Sequence, residues 1–134
     1  MRNTARIIAM MVLYNLDINK ELDLSIPDVM IEKVNYDYNF MKEIVDGVVN
    51  NIDEIDYLIS KNLKGYTLSR LSYVDRNLLR VGTYELLKTD TPINIIINEI
   101  VEISKEYSEI KGFISSKFNN AVLDKIAKEV NNGK

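Results

Sequence analysis

The chain has 134 residues, 46% of them apolar and 28% charged, with only two prolines and five glycines. That composition fits one packed domain and excludes intrinsic disorder and collagen-like repeats. With no cysteine and no histidine, the chain cannot build disulfide scaffolds, thiolate or imidazole metal sites, or mechanisms that use a cysteine nucleophile or a histidine base.

The net charge of −3 conceals an asymmetry. Residues 1–20 carry three basic and one acidic side chain, residues 21–60 two and ten, and residues 61–134 twelve and nine. An anionic partner would find its attraction at the N-terminal end and in the second half. Arg2 and Arg6 before the apolar run Ile7–Tyr14 resemble a signal peptide. Yet Asn15, Asp17, Asn19 and Lys20 follow in place of a small-residue cleavage site, and the run is far shorter than the roughly 20 residues that span a bilayer. The expectation is a soluble, cytoplasmic protein.

Helical periodicity runs through almost the whole chain. From Thr4 to Leu16, residues Ala5, Ile8, Ala9, Val12 and Leu16 recur at spacings of three and four and predict an apolar stripe. Pro27 can open a short helix through Val34. Phe40, Ile44, Val45, Val48 and Val49 mark a third helix, and Ile52, Ile55, Leu58 and Ile59 extend or restart it after Asn50-Asn51. Gly65 ends that region, and Leu68 and Leu71 suggest a short helical turn.

Ser72 is the expected N-cap of a helix reaching Lys88, with Asp75 as its capping-box partner. Its residues Val74, Leu78 and Val81 define one face while Leu79 and Leu86 point elsewhere, so this helix should be the centre of a bundle. Thr91 is expected to cap a helix with Pro92 in its first position, running to Tyr107. Its β-branched run Ile95-Ile96-Ile97 is compatible with a strand, but Ile93, Ile96, Ile97, Ile100 and Val101 keep helical spacing. Gly112 precedes a last helix, Phe113 to Val130. The reading is all-α: seven helices, no sheet and no internal repeat.

No catalytic constellation emerges. The glycines are isolated, which leaves no phosphate-cradling loop, and Asp53, Glu54 and Asp56 lack the spacing of a calcium loop and read as a solvated face. Glu85 lies on the wheel with Val74, Leu78 and Val81. A buried carboxylate needs a partner, which Arg80 or a basic residue on a neighbouring helix could supply, and a structural ion pair is preferred over an active-site acid.

On the first helix Asn3, Arg6, Met10, Tyr14 and Asp17 share one sector away from the apolar stripe, with Arg2 ahead of them on a free arm. A guanidinium beside an exposed aromatic can hold a phosphate and stack a base. The alternative is a Tyr14 half-buried in the core. On the last helix Lys117, Asn120, Asp124 and Lys128 share one face with Phe118 at its edge, which suits either nucleic acid or plain solvent.

These segments also resemble a known family. Ala5-Arg6-x-x-Ala9-x-x-x-Leu13-Tyr14 is similar to the opening helix of the bacterial transcription antitermination family NusB. Three further blocks agree in order and spacing: Val74 to Leu86, Thr91-Pro92 leading to Ile97-Asn98-Glu99-Ile100-Val101-Glu102, and Lys117 to Lys125. The resemblance covers essentially the whole chain. It implies an all-α fold of two small packed bundles and one RNA-binding domain over residues 1–134, with no enzymatic activity, cofactor or metal.

It also implies pairing with the small-subunit ribosomal protein NusE to bind boxA-type single-stranded RNA of nascent ribosomal RNA, within an RNA polymerase antitermination complex. Carried over by position, Arg2, Arg6 and Tyr14 match the basic N-terminal motif and its aromatic. Lys117, Phe118 and Asn120 match the signature of the last helix, which lies near the RNA and partner surfaces. Asp75 and Arg76 match an acidic-basic pair near the partner-binding side. The site so implied has Arg2, Arg6, Tyr14, Lys117 and Asn120 towards RNA, and Asp75, Arg76 and Phe118 towards the protein.

Two departures stand out. Asn3 and Thr4 occupy positions where many relatives carry further arginines, and Asn119 and Ala121 replace an apolar residue and a glycine around Asn120. The thin basic motif predicts weak intrinsic RNA affinity and reliance on the protein partner. Two rival functions remain at this level. One is the accessory RNA-binding domain of an rRNA cytosine methyltransferase, which would need a cofactor-binding domain beyond Lys134. The other is a purely protein-binding helical module whose acidic residues 21–60 attract a basic ribosomal protein.

Overall fold

A computed structural model describes residues 2–25, 27, 33–108 and 114–132. Among these residues the chain forms six α-helices: α1 (Arg2–Asn19), α2 (Tyr38–Asn50), α3 (Ile52–Lys61), α4 (Tyr73–Lys88), α5 (Ile93–Tyr107) and α6 (Ser115–Asn132). A single 3-10 turn, Leu68–Arg70, precedes α4. The expected helix from Pro27 to Val34 lies largely outside the described residues, as do Gly112 and Phe113.

Local chemistry sets most of the boundaries. Asp37 caps α2 by accepting from the Phe40 N–H at 3.0 Å, and Ser72 caps α4 by accepting from Asp75 N–H at 3.1 Å. Asn51 closes α2 through its backbone and side-chain amides, both on the Gly47 carbonyl, and α3 restarts at once. At Lys20 the backbone turns left-handed, φ 62°, immediately after α1, and its N–H returns to the Leu16 carbonyl. Two expectations shift here. Arg2 belongs to the first turn of α1, not to a free arm. Pro92, not Thr91, occupies the N-cap position of α5, and its carbonyl accepts from Ile95 and Ile96.

Helix α4 is the axis of the molecule. It packs against α1, α2 and α3 on one side and against α5 and α6 on the other, so two small bundles share one helix. From Asp75 to Leu86 every residue of α4 except Arg80 is buried. The buried apolar side chains of α1 to α6 form one cluster. Close approach makes this possible at two glycines. A Cβ on Gly47 would lie 2.0 Å from the Tyr84 ring, and one on Gly82 would lie 3.0 Å from Leu123. The Tyr84 hydroxyl reaches Glu43 at 3.1 Å. Burial, then the Glu43 hydrogen bond and charge, push its ionisation up to about 12.

The core face of α5 is the expected one, with Ile96, Ile97, Ile100 and Ile103 all buried. Ile100→Ala should cost about 2–5 kcal/mol, through lost burial and a cavity facing Gly82. The shift in urea midpoint at constant slope measures it.

Candidate nucleic-acid interface

Helix α1 carries Arg2, Arg6 and Tyr14 of the expected site, and its neighbours decide which of them reach solvent. It packs against α2 and α4 together, so two of its faces are covered, not one. Besides the predicted stripe, Arg6, Met10 and Leu13 are buried and Tyr14 and Asp17 are half-buried.

Arg6 corrects the sequence reading. Its residue exposure is 3%, and it meets the fully buried Glu85 with Nε at 2.7 Å from Oε2 and an Nη at 2.8 Å from Oε1. This bidentate pair is the partner that Glu85 was expected to need. Arg80, the other candidate, turns away and grips Asp56 at 2.8 and 2.9 Å. Asp56 is thereby drawn out of the solvated face in which it was expected. Arg6 is thus an internal anchor. Above it the Phe40 ring lies 5.3 Å from the Arg6 guanidinium and 4.2 Å from that of Arg2. Arg2 remains exposed and makes a long ion pair, 3.7 Å, with Asp37.

Eleven residues further along α1, Asp17 repeats the pattern at the other end of α4. Its Oδ2 accepts from Arg76 Nε at 2.8 Å, Asn77 Nδ2 at 3.1 Å and Arg80 Nη1 at 3.2 Å. Burial alone would raise this carboxyl. The hydrogen bonds from Arg76 and Asn77 and the charges of Arg80 and Arg76 outweigh it and hold Asp17 below its ordinary value of 3.8. Arg76 also donates to the Leu68 carbonyl at 3.1 Å and lies 4.7 Å from the Tyr73 ring.

Asp75 likewise faces inward. It sits in the first turn of α4, where the helix dipole favours a carboxylate, and accepts from Ser108 and, at 3.1 Å each, from Ser115 and Asn119. The Asn119 amide also bonds Ser104 at 2.9 Å. The capping-box role foreseen for Asp75 is therefore replaced by a junction of α4, α5 and α6. Both Asp75 and Arg76 are buried, so on the central helix each side chain is committed inside the molecule and offers a partner little surface of its own. Asn119, noted in the sequence only as a departure, is the donor that completes the junction.

The remaining candidates are accessible, in two places. Arg2 sits at the end of α4 near Glu85, beside a cleft of about 550 Å³ lined by Phe40, Lys88 and Thr89 to Pro92. Tyr14 lies at the opposite end, half-buried, with its ring 5.7 Å from that of Tyr73 in an edge-to-face contact. Lys117 and Asn120 are exposed on α6, and Phe118 is half-buried with its ring 5.5 Å from Tyr66. The Asp75 junction holds this first part of α6 against the same end of α4 as Tyr14. Sequence reasoning missed Tyr66 and Tyr73, whose signal was their position in a stretch without carboxylates. No group of Asp and Glu side chains among the described residues is arranged to hold a metal. No described helix is long and apolar enough to cross a membrane.

Two stability outcomes follow from the ion pairs. Arg6→Ala strands a buried carboxylate and should cost about 3–5 kcal/mol, whereas replacing Arg6 and Glu85 together by methionine should recover most of that loss; denaturation of the two variants makes the comparison. Because the folded protein lowers the Asp17 ionisation, its contribution is present above the unfolded value near 3.8 and is lost as pH falls through the folded one. Asp17→Asn should therefore be about 1–3 kcal/mol less stable at neutral pH, and the difference should shrink below about pH 4.

Comparison with known proteins gives the geometry its context. The family model described as "NusB family" matches residues 3–128. A transcription antitermination protein NusB from Nitratiruptor is 38% identical across 98% of this chain and 95% of its own length. The Fervidobacterium nodosum protein of the same name is 48% identical over 66% of this chain and 61% of that relative. A solved structure of antitermination factors NusB and NusE in complex with dsRNA superposes with a TM-score of 0.78 at 37% identity, covering 96% of each chain. On sequence and fold together, the chain belongs to the NusB family.

Proposed function

We propose that this protein is a transcription antitermination factor, non-catalytic and cytoplasmic, that acts over its whole length as one RNA-binding unit. Together with the ribosomal protein NusE it binds boxA-type RNA of nascent ribosomal transcripts and promotes read-through by RNA polymerase. The observation that carries this reading is the likeness, across 96% of both chains, to a NusB protein solved with NusE and RNA.

The accessible residues fit the role. Arg2 supplies charge at one end of α1, while Tyr14 and the Lys117-Asn120 face of α6 supply an aromatic, a cation and an amide at the other. Arg6 acts indirectly, by fixing α1 on α4 and by backing the Phe40 ring on which Arg2 lies. Its burial leaves Arg2 as the only exposed arginine or lysine of α1, which sharpens the expectation of weak intrinsic RNA binding.

Gel shifts with boxA-type RNA, with and without NusE and across a salt series, test this. The protein alone should bind poorly, and the complex much more tightly. Arg2→Ala should flatten the salt slope by about 0.7, one phosphate contact on a single strand. Tyr14→Ala should leave the slope unchanged and remove on the order of 1–3 kcal/mol of stacking. Equal affinity with and without NusE would overturn the cooperative reading. A large melting shift for Tyr14→Ala with normal affinity in the folded fraction would remove Tyr14 from the interface.

A further inference from the structure

Residues 57–74 contain no aspartate or glutamate, and they carry Lys61, Lys64 and Arg70 together with Tyr57, Tyr66 and Tyr73. It is the longest stretch of the chain without an acidic residue. This stretch is the end of α3, the 3-10 turn and the first residues of α4. It places its tyrosines outward: Tyr57 is 65% exposed, Tyr66 46% and Tyr73 42%. Three open aromatics in so short a segment are not needed by the core.

Two of the rings are held in place. Tyr73 meets Tyr14 of α1 edge to face and has the Arg76 guanidinium 4.7 Å from its centroid, and that guanidinium is itself fixed by Asp17 and the Leu68 carbonyl. Tyr66 meets Phe118 of α6 edge to face. The segment therefore links, at one end of α4, the candidate residue Tyr14 of α1 with the candidates Lys117, Phe118 and Asn120 of α6. Its cations are unequally committed. Lys61 is tied to Glu129 at 3.0 Å, whereas Lys64 and Arg70 are exposed and make no ion pair among the described residues. Fixed rings with open surface, beside exposed cations that make no ion pair among the described residues, are what sequence-tolerant stacking of unpaired bases requires.

We infer that residues 64–73 form a stacking strap for single-stranded RNA, in which Tyr66 and Tyr73 each take an unpaired base and Lys64 and Arg70 hold the phosphates beside them. This inference rests on the RNA-binding reading above and extends it to residues that reading does not include. A protein ligand is disfavoured because the strap combines exposed cations, without an ion pair among the described residues, with two separate ring pairs and not with a continuous apolar groove.

The test uses the full chain with NusE and an unstructured boxA-type oligoribonucleotide of about twelve nucleotides. Tyr66→Leu and Tyr73→Leu should each weaken binding on the order of tenfold with an unchanged salt slope, and Tyr73→Phe should bind as the parent does. Lys64→Ala with Arg70→Ala should lower the slope by about 1.4. Because the chain has no tryptophan, quenching of tyrosine emission on RNA addition reports stacking directly, and it should diminish in both leucine variants. Melting temperatures separate lost contact from lost folding, with affinity judged only in folded samples.

If folded leucine variants bind RNA as tightly as the parent while Lys117→Ala weakens it, the strap is overturned and RNA binding by the protein stands. If the parent complex itself fails to bind the oligonucleotide, the RNA-binding reading fails and the strap with it. If the variants lose NusE in RNA-free titrations and leave RNA affinity intact, the surface is a protein dock and the inference is wrong.

Discussion

A carboxylate at the centre of a helical bundle can be tolerated only if a cation is brought to it with the right geometry, and Glu85 is such a carboxylate. Its pair with Arg6 is fully enclosed and bidentate, so the two helices that carry it have little freedom to slide or rotate without stranding a charge. The register of α1 on α4 follows. Once Arg6 is opposite Glu85, the antiparallel course of the two helices brings Asp17, about 16 Å further along α1, opposite Arg76, Asn77 and Arg80. Those three in turn fix Asp56 of α3, the carbonyl of Leu68 and the Tyr73 ring.

The two buried carboxylates of α4, Glu85 and Asp75, are also met in different ways, and the difference matters for what lies outside them. At the Glu85 end a charge meets a charge. At the Asp75 end a carboxylate is met by two hydroxyls, an amide and the dipole of its own helix. These neutral donors come from both α5 and α6, so one side chain aligns three helices. The accessible groups are arranged around these fixed points: Arg2 beyond the first, and Tyr14, Lys117 and Asn120 around the second. The surface owes its geometry to residues that never reach it.

Much of the fold was legible because it depends on local pattern. Ile93, Ile96, Ile97 and Ile100 kept helical spacing despite a β-branched run, and Ser72 sat where a cap was needed. The misreadings share one cause, which is that a helical wheel assumes a single buried face. Helix α1 has two neighbours, so the sector holding Arg6 and Met10 was taken for surface when it faces α4. That Glu85 required a cation could be argued from its wheel position, but which cation could not, because Arg6 lies 79 residues away. Asp75 looked like a capping acid, since nothing in the sequence shows that Ser108, Ser115 and Asn119 converge on it. Asn119 reads in the sequence only as a departure for the same reason. The aromatic strap was overlooked because its signal is an absence of acids over residues 57–74, and periodicity does not register absences.

The separation between Arg6 and Glu85 has a consequence for how the protein is made. Helix α1 leaves the ribosome before α4, so its Arg6 guanidinium lacks the Glu85 counter-charge until α4 has been synthesised. At about 5–20 residues per second that interval is on the order of ten seconds. During it α2 is already present to cover part of α1, but Arg6 has not yet met Glu85. The register of α1 on α4 is therefore one that only the later-made helix can complete, and α1 reaches its native surroundings only once α4 has emerged.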